Sequence, residues 1–295
     1  MNVVGDDRIE PSEGLEETDC PLCEGSTSRV AYCWPYPSCY RVVRCESCGF
    51  YFLSPRPTEA AMLSVYQHNG YYDDAWKDGY EDYSRQETAL RLTFRRLMKT
   101  LNRQGLTGGS LLEVGCGFGF LLDEARPWFN SRHGSDFSPK AVALAGPRAD
   151  RVFLGGVAAI SPELRYDVII ANQVIEHVYQ PADFVRALKE RLNPGGVLVL
   201  ATPHMGSLWR VLMGRRWPSF KLPEHVLYFD EDHLGTLMKD CGFSTIKTIP
   251  YAHAFPLALV LSKLGLRLKG RLGQMSLWLP GTTLAMWGRA DGGMT

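Results

Sequence analysis

Three groups of residues in this chain have types and spacings suited to chemistry. Cys20-Pro-Leu-Cys23 and Cys45-Glu-Ser-Cys48-Gly49 are two C-x-x-C knuckles. Two such knuckles bring four thiolates into the tetrahedral arrangement of a structural Zn²⁺, leaving no position open to substrate. Cys33 and Cys39, between the knuckles, lack ligand-like spacing, and Cys116 and Cys241 read as packing residues. The second group is Leu-Leu-Glu-Val-Gly-Cys-Gly-Phe-Gly at 111–119, an apolar run that passes through Glu113 into Gly115, Gly117 and Gly119. Glycine lets a backbone turn sharply and approach a ligand, and a strand–turn–helix of this kind is expected to leave backbone N–H groups beside a nucleotide-like molecule. A dinucleotide fingerprint would need glycine at 120, where Phe120 stands, and no Gly-Lys-Ser/Thr follows for a P-loop. The third group is histidine: His204 and His225 are each suited to general-base work near neutral pH, with His177 a further candidate.

These groups need elements to position them. From residue 109 onward, short apolar runs at Ser110–Val114, Ser131–Asp136, Arg151–Leu154, Asp167–Ala171 and Val197–Ala201 alternate with helical spacing such as Pro139–Ala145 and Ala182–Leu192. That alternation predicts an α/β domain with a mostly parallel sheet covered by helices on both sides. Ser244–Ile249 and Thr282–Trp287 would complete seven strands, and Asn193-Pro194-Gly195-Gly196 is expected to stop the helix before the fifth. Between 81 and 104, Leu90, Phe94, Leu97, Met98 and Leu101 share one helical face opposite Arg91, Arg95, Arg96 and Lys99.

The chain has 295 residues, enough for one full domain and a smaller module, and 32 basic against 32 acidic residues give zero formal charge. Zero charge argues against a nucleic-acid partner bound by bulk phosphate neutralisation. No secretory signal and no run of membrane-span length is visible, so a cytoplasmic protein is expected.

Residues 105–250 resemble, landmark by landmark, the class I S-adenosylmethionine (SAM) methyltransferases, in particular the subgroup of small-molecule and quinone-ring O-methyltransferases. The resemblance implies a Rossmann-like, seven-stranded, mostly parallel sheet sandwiched by helices, with the zinc ribbon in front. It implies that Glu113, Gly115, Cys116, Gly117 and Gly119 surround the amino-acid end of SAM. Asp136 would accept the ribose hydroxyls, Phe137 would lie beside it, and adenine would rest on the backbone near Val157 and Ala158. Asn172 and Gln173 would face the methyl group. Relatives often carry Glu-x-x-Glu-His after this strand, and in some of them the cluster binds a divalent metal. Here Gln173 replaces the first acid, so no catalytic metal is expected beside Glu176 and His177.

The expected organisation is a disordered acidic tail at 1–19, a zinc ribbon at 20–57, a connector and helical lid at 58–104 and the methyltransferase domain at 105–295. Tyr66, Tyr71 and Tyr72 are candidates for the lid, or for packing of the connector. Residues 251–281 would cover the active site or touch a membrane surface or acyl chain. The expected reaction is methylation of a small-molecule acceptor at oxygen, in natural-product, glycan or quinone-like biosynthesis. Rival readings are an rRNA or tRNA methyltransferase and a non-catalytic SAM-fold binding subunit.

Overall fold

The computed structural model describes residues 14–34, 40–67, 86–262 and 275–291. Tyr71, Tyr72, Tyr80, Cys39 and the basic stretch from Lys263 to Arg271 lie outside the described residues. In chain order the first elements are β1 (Leu15–Glu16), β2 (Ser28–Cys33), β3 (Arg41–Cys45), β4 (Tyr51–Leu53), β5 (Arg56–Pro57), α1 (Glu59–Gln67) and α2 (Glu87–Arg103). The alternating part follows as β6 (Ser110–Val114), α3 (Phe120–Glu124), β7 (Ser131–Asp136), α4 (Pro139–Ala145), β8 (Arg151–Leu154), β9 (Tyr166–Asn172), α5 (Pro181–Glu190) and β10 (Leu192–Pro203). The chain continues through α6 (Leu208–Met213), β11 (Leu227–Tyr228), α7 (Glu231–Asp240), β12 (Phe243–Thr248), β13 (Ala252–Pro256), α8 (Leu257–Ser262), β14 (Ser276–Pro280) and β15 (Thr283–Ala290).

Seven strands form the main sheet in the order β12-β15-β10-β9-β6-β7-β8. Strands β6 to β10 pair in parallel, and only β15 runs against its neighbours. Successive side chains of a strand point to opposite faces. Leu112, Ile169, Leu198 and Leu200 therefore enter the core on one face, while Leu111, Val168, Ile170 and Val199 enter the core on the other. The second core takes the apolar stripe of α2, with Leu90, Phe94, Leu97, Met98 and Leu101 all buried.

Three boundaries differ from expectation. Asn193–Gly196 lies inside β10, whose register shifts between Leu192 and Val197, and α5 has already ended at Glu190. The breakers make a strand irregularity, with Gly195 at φ 74°. The expected tail stops short of residue 15: β1 pairs with β5, and Glu16 bonds the buried Arg56 at 2.8 Å. The ribbon also extends beyond residue 57. Its sheet has the order β11-β4-β3-β2, so residues 227–228, far along the chain, supply the fourth strand. Val42, Val43, Phe52 and Leu53 of the ribbon share one core with Leu112, Ile169 and Leu198 of the main sheet.

Candidate active site

The carboxyl ends of β6, β7, β8 and β9 open into one cavity of about 1430 Å³. Ligands of open α/β sheets bind at this end of the strands. Glu113, Gly115, Gly117, Asp136, Phe137, Val157, Asn172 and Gln173 all line it.

The glycine turn is built differently from the expectation of free N–H groups. The N–H groups of Gly115 and Cys116 both donate to the Ser135 carbonyl, at 2.8 and 3.0 Å, and that of Gly117 donates to Asp136 Oδ2 at 2.9 Å. The turn therefore offers close backbone approach rather than an anion cradle. Gly115 sits at φ 71°, and a Cβ there would lie 2.5 Å from Val174 Cγ2. Gly119 does not line the cavity; a Cβ on it would meet Ala145 Cα at 3.0 Å, so its role is packing of the turn on α4. Cys116 is likewise buried away from the cavity, and its thiol fills the space beside Gly134. Ala158 is exposed and lines nothing, whereas Gly155, Gly156 and Val157 do.

Glu113 is buried, and its Oε2 has no hydrogen-bond partner. Burial, and then the neighbouring Asp136, hold its carboxyl well above the usual carboxylate range. An orphaned acid on a cavity wall suits an ammonium group. Asp136 Oδ1 accepts the N–H of Ser138 at 2.9 Å, so both oxygens hold backbone at the cavity wall. The exposed ring of Phe137 packs where Gly156 has no side chain. An ammonium acceptor, a diol acceptor and an apolar wall fit SAM.

At the other end of this site Gln173 occupies a left-handed backbone conformation, φ 57°, with its N–H on Ala201 O at 2.7 Å and its side-chain Nε2 unpartnered. Such strain concentrates at functional sites. Asn172 Oδ1 accepts the Tyr251 hydroxyl at 2.8 Å. The next turn carries Glu176 and His177. Glu176 Oε2 accepts Thr202 Oγ1 at 3.0 Å, Oε1 has no partner, and burial pushes its carboxyl up to about 8.

His177 and His225 meet edge to face, with ring centroids 4.7 Å apart. His177 Nδ1 lies 3.0 Å from the Glu224 carbonyl and 3.1 Å from the Tyr66 hydroxyl, and His225 Nδ1 lies 2.9 Å from the Ser219 carbonyl. A carbonyl only accepts, so each Nδ1 carries the proton and each Nε2 keeps its lone pair. Burial and then the charge of Lys221 hold His177 down to about 3. Burial, then His177 and Lys221, hold His225 well below the ordinary histidine value. Both rings line the cavity as neutral acceptors. His204 does not: it lies half-buried beside Asp230 and Glu231, and its backbone N–H donates to the Thr282 carbonyl. The structure thus brings His177 and His225 to the site and leaves His204 outside it.

Glu176, His177 and His225 also hold their ligand atoms within 4.8 Å of one another. Two neutral imidazoles and a carboxyl form a donor set that fits a divalent cation, although Gln173 offers an amide where relatives have an acid. At the ribbon, the Cys20–Cys48 and Cys23–Cys45 sulfur pairs are each 3.6 Å apart. Sulfurs held tetrahedrally at 2.3 Å from zinc would be about 3.8 Å apart. The four thiols therefore fit that ion, and Cys33 stands apart, exposed.

Several lining residues have no sequence signature. Leu90 and Phe94 come from α2, Trp34 and Tyr40 from the ribbon, and Phe255, Leu277 and Leu279 from the β13–β14 hairpin. The described part of 251–281 thus walls the cavity. Tyr66 of α1 reaches it too.

The strand order and this cavity define a methyltransferase-type α/β domain. Residues 85–248 match the family model described as "Methyltransferase domain", and the chain belongs to that family. It is 29% identical over 187 residues to the mitochondrial ubiquinone biosynthesis O-methyltransferase of Schizosaccharomyces pombe, a match spanning 60% of this chain and 66% of that one. It is 30% identical over 135 residues to the ubiquinone biosynthesis O-methyltransferase of Bradyrhizobium diazoefficiens, spanning 44% of this chain and 49% of the relative. The chain thus spans between about half and two thirds of the length of these relatives. Among solved structures it shares its fold with a SAM-dependent methyltransferase from Thermotoga maritima, at TM-score 0.54 and 17% identity over 76% of this chain and 100% of that one. The magnesium protoporphyrin IX methyltransferase of Synechocystis with bound S-adenosylhomocysteine (SAH) matches at TM-score 0.52 and 16% identity, covering 79% and 100%. Among the described residues no helix is long and apolar enough to cross a membrane.

Proposed function

We propose that this protein transfers a methyl group from SAM to a hydroxyl oxygen of a small phenol- or quinol-type acceptor. The observation that carries the reading is the imidazole pair, His177 and His225, anchored through Nδ1 on carbonyls, with both residues lining the cavity. The names of the relatives point to the same acceptor class.

SAM supplies an activated methyl on its sulfonium; the O–CH3 bond forms as the S–CH3 bond breaks, leaving SAH. Glu113 takes the ammonium of the amino-acid end, and Asp136 accepts the ribose hydroxyls while holding the turn. Phe137 and Val157 enclose the base. At the reacting end an Nε2, His225 being the better candidate, receives the acceptor hydroxyl's proton. The Glu176 carboxyl lies beside the two rings, protonated below about pH 8, and the apolar walls exclude water. The test is incubation of the protein with SAM and catechol, read by mass spectrometry for a methyl ether. Loss of product in His225→Gln with SAH affinity retained supports the reading; transfer only to nitrogen or carbon acceptors overturns it. Methylation of bulk RNA that falls away at high salt would favour the rRNA or tRNA alternative instead, against which the apolar cavity and zero net charge speak. SAH affinity with no transfer to any acceptor would favour the binding-subunit alternative.

A second reading rests on the orphaned Oε1 of Glu176. Glu176, His177 and His225 would hold a divalent cation that orients the acceptor oxygen. Calorimetry of the SAH complex with Mg²⁺, Mn²⁺ or Zn²⁺ tests it, and unchanged heats in Glu176→Gln would reject it.

We further infer that Cys20, Cys23, Cys45 and Cys48 bind a structural Zn²⁺, that 20–57 acts as a ribbon module and 58–104 as connector and lid, and that 105–295 carries the transfer chemistry. Free thiols rather than disulfides among the described residues suit a cytoplasmic setting.

A further inference from the structure

The ring of Phe220 stands in a cage of four aromatic side chains. Trp34, Trp217 and Tyr228 meet it edge to face, with centroids 5.3, 5.1 and 5.3 Å away. Tyr32 lies tilted against it at 4.8 Å. These are separations at which aromatic rings attract one another beyond the burial they share. Tyr32 belongs to β2, Trp34 directly follows that strand, and Tyr228 belongs to β11. Three walls of the cage therefore come from the ribbon sheet and its margin.

The cage sits at the root of His225. Phe220 directly follows Ser219, whose carbonyl lies 2.9 Å from His225 Nδ1. The backbone N–H of His225 donates to the Lys221 carbonyl at 2.8 Å. Tyr228, whose ring packs on Phe220, donates its hydroxyl to the His225 carbonyl at 2.7 Å, so it grips the 219–225 loop at both ends. Tyr32 is fixed in turn by Arg210 of α6, whose Nη1 donates to the Tyr32 hydroxyl at 3.0 Å. Phe220 and His225 line the cavity, and Tyr32 does not.

The partner of one imidazole nitrogen decides which nitrogen carries the proton. In water a neutral imidazole favours the proton on Nε2. The Ser219 carbonyl can only accept, so it selects the opposite tautomer, with the proton on Nδ1 and a lone pair on Nε2. A small drift of this carbonyl would release the selection.

We propose that the ribbon sheet is the positioning element of His225. Tyr32 and Tyr228 clamp Phe220, and the clamped Phe220 keeps the Ser219 carbonyl on Nδ1. Tyr32 thus acts on a residue 193 positions along the chain without touching the cavity. The consequence for methyl transfer rests on the proposed role of His225 as proton acceptor, whereas the clamp does not.

The experiment is long-range ¹H–¹⁵N correlation NMR of the SAH complex of the full chain with ¹⁵N-labelled histidine. The His225 signals are assigned by their loss in His225→Gln. Wild type is expected to show the proton of His225 on Nδ1. Tyr32→Ala and the milder Phe220→Leu should move it wholly or partly to Nε2, with SAH affinity by calorimetry unchanged. Tyr32→Phe, which keeps the ring, should restore the wild-type pattern. A wild-type His225 protonated on Nε2 overturns the proposal, as does a pattern unchanged in both Tyr32→Ala and Phe220→Leu. In catechol methylation, Tyr32→Ala should lower kcat by about tenfold or more, and Tyr32→Phe should recover it. If wild type leaves catechol unmethylated, the catalytic reading falls, while the tautomer pattern still decides the clamp.

Discussion

Asp136 Oδ2 accepts the backbone N–H of Gly117 at 2.9 Å, so the acid ending the second strand of the alternating part holds the glycine turn that ends the first. Its other oxygen caps Ser138. The carboxylate that would take the cofactor's ribose is therefore also the fastener of the loop beneath it. Asp136→Ala should remove a ribose contact and leave two buried N–H groups unpaired. SAH binding is expected to weaken by about 1–3 kcal/mol, with a lower melting temperature of the free protein. Calorimetry and a thermal scan check both; an affinity loss without a stability loss would mean the loop holds without Asp136.

Glu176 and the buried histidines push stability in opposite directions with pH. Glu176 ordinarily titrates near 4.5 and in the fold near 8. Between those values the folded state holds more protons, so its contribution is complete below pH 4.5 and is lost as pH rises through about 8. The slope from this group is at most roughly 1.4 kcal/mol per pH unit. His177, held down from 6.5 to about 3, does the reverse: its contribution is present above 6.5 and is lost as pH falls toward 3. Urea titrations of cofactor-free Glu176→Gln between pH 4.5 and 8 should show a shallower decline than wild type.

The pH–rate profile carries a related expectation. His225 is held well below its ordinary value, so a base there remains unprotonated as pH falls through 6.5. The acid limb of kcat/KM should therefore lie below 6.5. His225→Gln should lower kcat by about 100-fold at unchanged SAH affinity.

Disrupting the ribbon's four-cysteine cluster should be felt in the main domain. Leu53 N–H donates to the Val226 carbonyl at 2.9 Å, and Val226 N–H donates to the Glu176 carbonyl at 2.8 Å, so the ribbon is laced to the Glu176–His177 turn through backbone. Cys45→Ser is expected to abolish zinc binding and to lower a single, whole-chain unfolding transition in calorimetry. A ribbon that melts alone, leaving the main transition in place, would contradict this coupling.

Gly119→Ala should destabilise without touching the cofactor. Its φ of 76° and the 3.0 Å approach to Ala145 Cα leave no room for a methyl group. Unfolding free energy is expected to fall by about 1–3 kcal/mol, with SAH affinity preserved; chemical denaturation and calorimetry separate the two.

What the sequence by itself determined is local. Ser110–Val114 and Arg151–Leu154 coincide with observed strands because an apolar run between turn residues has few alternatives. Glu113, Asp136, Gly115 and Gly117 could be placed at the cavity because positive φ and a strand-ending acid leave marks within a few residues, whereas Gly119 packs on α4. The paired knuckles were legible for the same reason. Which of His204 and His225 lines the cavity was not, because both follow the fifth strand of the alternating part and neither neighbourhood says which way its ring turns. Tertiary structure decided it through the bonds from Val226 to Glu176 and Leu53, which draw His225 against His177. The same register made 227–228 a ribbon strand and set Trp34 beside residues of α2 and the β13–β14 hairpin in one cavity. Such pairings join segments far apart in the chain, and their free energy is gained only when both partners are already folded, so no short window of residues carries their signature.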